Sequence, residues 1–143
     1  MKIINILAIA LAFALSFASF NPAVAGDSAT KERLVIQVSD GDVGKWNLAL
    51  NNAKNVQQAY GADKVDIEIV TYGPGIGMLK MDSAIADRID ESKKAGVSIV
   101  ACQNTMKNMK LTNEDMLPNT SYVPSGVVEI MKKQHEGYAY LRP

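Results

Sequence analysis

The chain is poor in the residues that most often carry chemistry. Its 143 residues include one cysteine, one histidine and one tryptophan. A single cysteine excludes an intramolecular disulfide, a Cys-x-x-Cys-His haem site and a closed thiolate zinc set. The lone histidine, His135, has no serine and acid around it in a pattern that suggests a nucleophilic triad. No charge of either sign dominates, with 15 Lys+Arg against 15 Asp+Glu. Without a basic patch interleaved with aromatics, nucleic acid is not expected as a partner. No internal repeat or low-complexity tract interrupts the chain, and no cofactor or metal is expected from its motifs.

One long apolar run is present, and it lies at the start. Lys2 is followed by apolar residues from Ile3 to Phe20, broken only by Asn5, Ser16 and Ser19, and then by Ala23-Val24-Ala25. A charged start, an apolar stretch and a small-x-small close are what signal peptidases read. The expectation is an export signal over residues 1–25, cleaved after Ala25. That leaves 26–143 as one domain in the periplasm or secreted, with no membrane contact after cleavage. The rival reading is an uncleaved anchor, since the run is near the minimum for a span. Cleavage removes one charge, Lys2, and leaves the mature chain one acidic charge in excess. A domain of this size buries a core without staples.

The mature chain alternates strand and helix patterns. Leu34–Val38 reads as a buried strand ending at Ser39-Asp40-Gly41-Asp42, a cluster of turn and helix-start residues. Trp46, Ala49, Leu50, Ala53, Val56 and Tyr60 form one helix face, stopped by Gly61. Val65, Ile67 and Ile69 alternate with Asp66 and Glu68, which predicts a strand with an acidic face that is partly open or turned to a polar partner. Tyr72–Gly77 follows as a stiff loop. A second helix is expected from near Asp82 to Ala95 with Ile85 and Ile89 inward. A third strand covers Val97–Ala101, with Cys102 next. Short helical turns are expected over 103–117 and a strand over Thr120–Val123. A helix capped by Ser125 then runs to Gln134 with Val127, Val128 and Met131 inward, and a last strand spans Tyr138–Leu141. Such alternation predicts a parallel sheet covered by helices, with ligands beyond the carboxyl ends of the strands. The places to look are Ser39–Gly44, Tyr72–Gly77 and Cys102–Met106.

Each candidate in those places has a plain structural reading beside it. Cys102 ends a strand and precedes a helix start, where amide donors favour thiolate, the nucleophilic form. It is equally a small buried residue closing a strand. Gly73-Pro74-Gly75-Ile76-Gly77 lacks the spacing of a dinucleotide loop and the Lys-Ser/Thr of a phosphate loop, and reads as a tight turn whose amides could face an anion at Cys102. Met78/Met81 and Met106/Met109, with Cys102 near the second pair, have the soft donors that Cu(I) takes. The same spacing also serves a buried helix face. His135 at a helix end, and Tyr138 and Tyr140 on the last strand, read as packing.

Three stretches together carry a family likeness. They are Tyr72-Gly73-Pro74-Gly75, Val100-Ala101-Cys102-Gln103-Asn104-Thr105-Met106, and Val123-Pro124-Ser125-Gly126-Val127 leading to Glu136-Gly137-Tyr138-Ala139-Tyr140. The chain resembles the DsrE/DsrF-like sulfur-relay family over nearly all of residues 33–143. The resemblance implies a three-layer α/β/α domain with a five-stranded, mainly parallel sheet, assembled as a homo-oligomer, a trimer or hexamer. It also implies a persulfide carrier at Cys102, exchanging sulfur between a donor and an acceptor thiol protein. A non-catalytic oligomeric binding protein of the same fold is the alternative, and a Cu(I)-binding protein the third. Many relatives read Cys-Gly-Asn-Thr where this chain has Cys102-Gln103-Asn104-Thr105, and the relay members work in the cytoplasm, whereas this chain starts with an export signal.

Overall fold

The computed structural model describes residues 31–143. The expected export signal, residues 1–25, and its cleavage position lie outside the described residues. Five strands form one sheet: β1 (Glu32–Val38), β2 (Val65–Thr71), β3 (Ser98–Cys102), β4 (Ser121–Val123) and β5 (Ala139–Leu141). Their spatial order is β4-β3-β2-β1-β5. Every pairing is parallel, so each connection crosses a face of the sheet, and the helices do the crossing. The sheet thus has the expected five parallel strands in an α/β fold.

Helix α1 (Val43–Tyr60) starts where Asp42 accepts the Lys45 amide and ends at Gly61, whose positive φ of 99° lets its own amide close on Gln57. Between those caps, Trp46, Ala49, Leu50 and Ala53 are buried. The Trp46 indole keeps its polar edge satisfied by donating to the Asp40 carbonyl at 2.7 Å. Helix α2 (Ala86–Lys94) is shorter than the sequence pattern suggests. Residues 83–85 form a turn instead, with the Ser83 amide bonded to the Lys80 carbonyl and the Ser83 hydroxyl accepting from Ile85. The segment after β2 is not a loop but a 3-10 helix, Gly73–Leu79, followed after β3 by helix α3 (Gln103–Asn108).

The two faces of the sheet are covered unequally. Along β1, β2 and β3, Ile36, Val38, Ile67, Ile69, Ile99 and Ala101 face one side. They pack against Trp46, Leu50, Ile76, Leu79, Ile89 and Met106 in a single large core. Among the described residues, the apolar cluster on the opposite side is small: Val35, Val70, Val100 and Ile130, with Tyr72, Val123 and Tyr138 at its margin. One helix among the described residues covers that side, α4 (Gly126–His135).

One expectation is sharpened on this thin side and one corrected. The acidic face of β2 is partly open at Asp66, whose side chain is 40 % exposed and pairs with Lys31, and turned to a polar partner at Glu68, which is 8 % exposed. Glu68 lies under α4, where Lys133 reaches it at 3.5 Å and the Ser98 hydroxyl donates to it at 3.1 Å. The inward face of α4 is not the apolar one. Gly126 and Ile130 are buried, and Lys133 reaches the sheet three residues on. Val127, Val128 and Met131 are exposed. A helix this close to the sheet needs a small residue at its start and a cation over Glu68, so the stripe 126–130–133 wins over the more apolar 127–128–131.

Candidate functional site

Right-handed crossovers decide where a crevice opens in a parallel sheet. The connection after β3 enters α3, whose Met106 packs into the large core, while the connection after β4 enters α4 on the opposite face. Adjacent strands whose chains leave to opposite faces make a topological switch point, and here it lies between β3 and β4. Cys102 is the last residue of β3, paired in register with Val123, the last of β4. Strand alternation turns its side chain to the α4 side, as it does Val100. The one thiol therefore stands at the place where this topology opens toward ligands.

The turns on either side of the crevice are tied to each other. The Asn104 amide, at the start of α3, donates to the Pro124 carbonyl at 3.2 Å. In the reverse direction, the Gly126 amide, at the start of α4, donates to Cys102 Sγ at 3.2 Å. Ser125 holds the N-cap position of α4 without a side-chain cap bond, so the helix amides are left for other acceptors. A side chain at position 126 would sit 3.0 Å from the Tyr72 Cβ and 3.1 Å from its ring, which is why glycine stands there. Glycine is required at 75 as well, where a Cβ would fall 2.2 Å from the Val38 carbonyl oxygen. The Gly73–Gly77 run thus serves close backbone packing. Its Gly73 amide donates to Thr105 Oγ1 at 2.9 Å, not to the sulfur.

Cys102 is buried, at 4 % exposure. Burial alone pushes a thiol pKa up. Against it act the Thr105 hydroxyl, the Gly126 amide, and the Thr105 and Asn104 amides, and these donors prevail, leaving the thiol more acidic than usual. A buried sulfur that accepts from an amide, with polar donors on the turns around it, favours the thiolate form.

Of the positions singled out from the sequence, the structure joins Cys102–Met106 with Tyr72–Gly73. Ser39 is linked to them only through its carbonyl, which accepts the Gly75 amide at 3.2 Å. Gln103 poses no backbone difficulty, because it takes up the first helical position of α3 and is not among the residues with positive φ. The methionine pairs are split: Met78 and Met106 are core residues, while Met81 and Met109 are 57 % and 46 % exposed, so neither pair presents two thioethers on one surface. His135 is exposed near the end of α4. Gly126 and Pro124 were not foreseen. Extending the strand-end rule to β4, whose Pro-Ser-Gly turn marks it clearly, would have found them.

The DsrE/DsrF-like family matches residues 7–143. The chain belongs to that family. A solved protein of unknown function from Methanobacterium thermoautotrophicum is 32 % identical, superposes with a TM-score of 0.75, and is covered in full by 79 % of this chain. A conserved protein of unknown function from Bacteroides thetaiotaomicron shares the fold, with a TM-score of 0.64 at 17 % identity, over 78 % of this chain and 95 % of that one. No curated protein matches the chain. Membership suggests sulfur relay.

Proposed function

We propose that this DsrE/DsrF-like protein is an exported sulfur carrier working through Cys102 in the periplasm. The observation that carries the reading is the thiol at the switch point, enclosed by donors and accepting the Gly126 amide at 3.2 Å. In the loading step the Cys102 thiolate attacks the outer sulfur of a persulfide or polysulfide donor. A new S–S bond forms, the donor's S–S bond breaks, and its electron pair leaves with the donor thiolate. In unloading, an acceptor thiolate attacks the outer sulfur and the Cys102 thiolate is regenerated, with no net oxidation in either step. The donors around Sγ stabilise the anion in both states. Family membership also supports assembly as a homo-oligomer, a trimer or hexamer, which would cover apolar residues left exposed on α4.

The test is intact-mass measurement after incubation with polysulfide or thiosulfate. Wild type should gain about 32 Da, the mass of one sulfur atom, and lose it on adding a thiol, whereas Cys102→Ser should gain nothing. No gain in wild type, or equal gain in both, ends the carrier reading. A second reading, a non-catalytic oligomeric binding protein, is favoured by one fact: Cys102 is 4 % exposed. Alkylation of the folded protein as slow as that of an inert buried thiol would select it.

A further inference from the structure

We propose that Thr105 is the positioning residue of the site: its hydroxyl, oriented by the Gly73 amide, donates to the Cys102 sulfur and holds it as an anion. Thr105 is buried at 9 % exposure, on the first turn of α3 and three residues after the cysteine. Its Oγ1 accepts the Gly73 amide at 2.9 Å. That bond uses a lone pair and leaves the hydroxyl proton to be donated elsewhere, and a buried hydroxyl proton needs an acceptor. The sulfur three residues back, which itself accepts the Gly126 amide at 3.2 Å, is the acceptor this proposal assigns, and a donor there makes the thiol more acidic.

Gly73 is fixed for this task. Its φ of 52° lies in the left-handed region, natural to glycine, and the following Gly75 amide locks the turn by bonding the Ser39 and Tyr72 carbonyls. The segment after β2 therefore acts on the sulfur at one remove, through a side chain on the segment after β3. The relay is directional: amide to hydroxyl oxygen, hydroxyl proton to sulfur. Each bond in such a chain polarises the next. Purpose is borrowed here from the carrier reading, but the ionisation it predicts exists whether or not sulfur is transferred.

The chain has one cysteine, so alkylation by iodoacetamide reports on Cys102 alone, and its rate against pH gives the apparent thiol pKa in the folded protein. Thr105→Val keeps the shape and removes the hydroxyl. It should raise the apparent pKa by about one unit and cut the reactive thiolate near neutral pH about tenfold. Thr105→Ser keeps the hydroxyl and should restore the wild-type profile. Should Thr105→Val lose its fold by circular dichroism, Thr105→Ala makes the same measurement with the same expectation. A folded variant without the hydroxyl that titrates as wild type overturns the proposal. That result would mean the proton goes to a backbone carbonyl one turn back, the other habit of helical threonine. Sulfur uptake by mass separates the two ideas. A raised pKa in the variant with no uptake in wild type defeats only the carrier. Uptake with an unmoved pKa defeats only the role of Thr105.

Discussion

The two faces of the sheet are held by different physics. On one, helices α1, α2 and α3 bury a continuous apolar core in which Ile36, Ile69, Ile76, Leu79 and Ile99 are all at or below 1 % exposure. On the other, α4 is attached at three kinds of contact: Ile130 among valines, Lys133 over Glu68, and the Gly126 amide on the sulfur. The first face makes the molecule stable. The second places a functional group, and its apolar cluster is much the smaller of the two. Regions with few apolar contacts open most readily, so the carrier proposal puts its exchange on the side better suited to opening.

The largest expected effect tests the contrast directly. Leu50→Ala should destabilise by about 4 kcal/mol and Ile130→Ala by about 2, because the thick core cannot close around a cavity while the thin layer can. Urea denaturation decides it, and equal losses would mean that the faces are not unequal after all. Next comes the polar pin. Burial pushes the Glu68 carboxyl pKa up, and the attraction of Lys133 and the bond from Ser98 only partly offset this. Because the folded value is raised, the protonated form favours folding. Its contribution is full below the ordinary glutamate value and is lost as pH climbs through the raised one.

Lys133→Met removes the offset and raises that value further. The variant should lose about 2 kcal/mol at pH 8 and progressively less as the pH falls toward the ordinary glutamate value, where a neutral carboxyl needs no cation. A loss independent of pH would show that Lys133 acts by packing alone. The smallest stability effect is expected at Val128, which is 61 % exposed. Val128→Lys should change stability by less than about 0.5 kcal/mol. Sedimentation is the sharper readout there. A shift to smaller species would mark the outer face of α4 as the surface where copies meet, and an unchanged profile would remove it from consideration.

Most of the architecture was legible because the thick face obeys simple periodicities. Trp46, Ala49, Leu50 and Ala53 recur at helical spacing, and Leu34, Ile36 and Val38 alternate in the strand that they cover. The thin face was misread for a physical reason. Its buried stripe runs Gly126, Ile130, Lys133, and a glycine and a lysine do not look like a core. The apolar Val127, Val128 and Met131 of the same helix point outward. Glu68 likewise reads as open or turned to an unnamed polar partner until Lys133, 65 positions later, is known to lie over it. At the site, Cys102 was legible from its position at a strand end. Gly126 and Thr105 were not, since an amide donor and a bridging hydroxyl leave no signature in composition and acquire meaning only when the turns after β2, β3 and β4 converge.

The enclosure of Cys102 has a consequence for recognition. A carrier holding an extra sulfur is larger than an empty one, and this side chain has an amide 3.2 Å away with the Tyr72 ring close behind that glycine. On the carrier proposal, one more atom placed toward that amide would push on the first turn of α4 and on Tyr72 behind it. Empty and loaded forms would then differ in outline where a donor or acceptor docks. Such a partner could tell full from empty by shape alone, before any sulfur atom is touched.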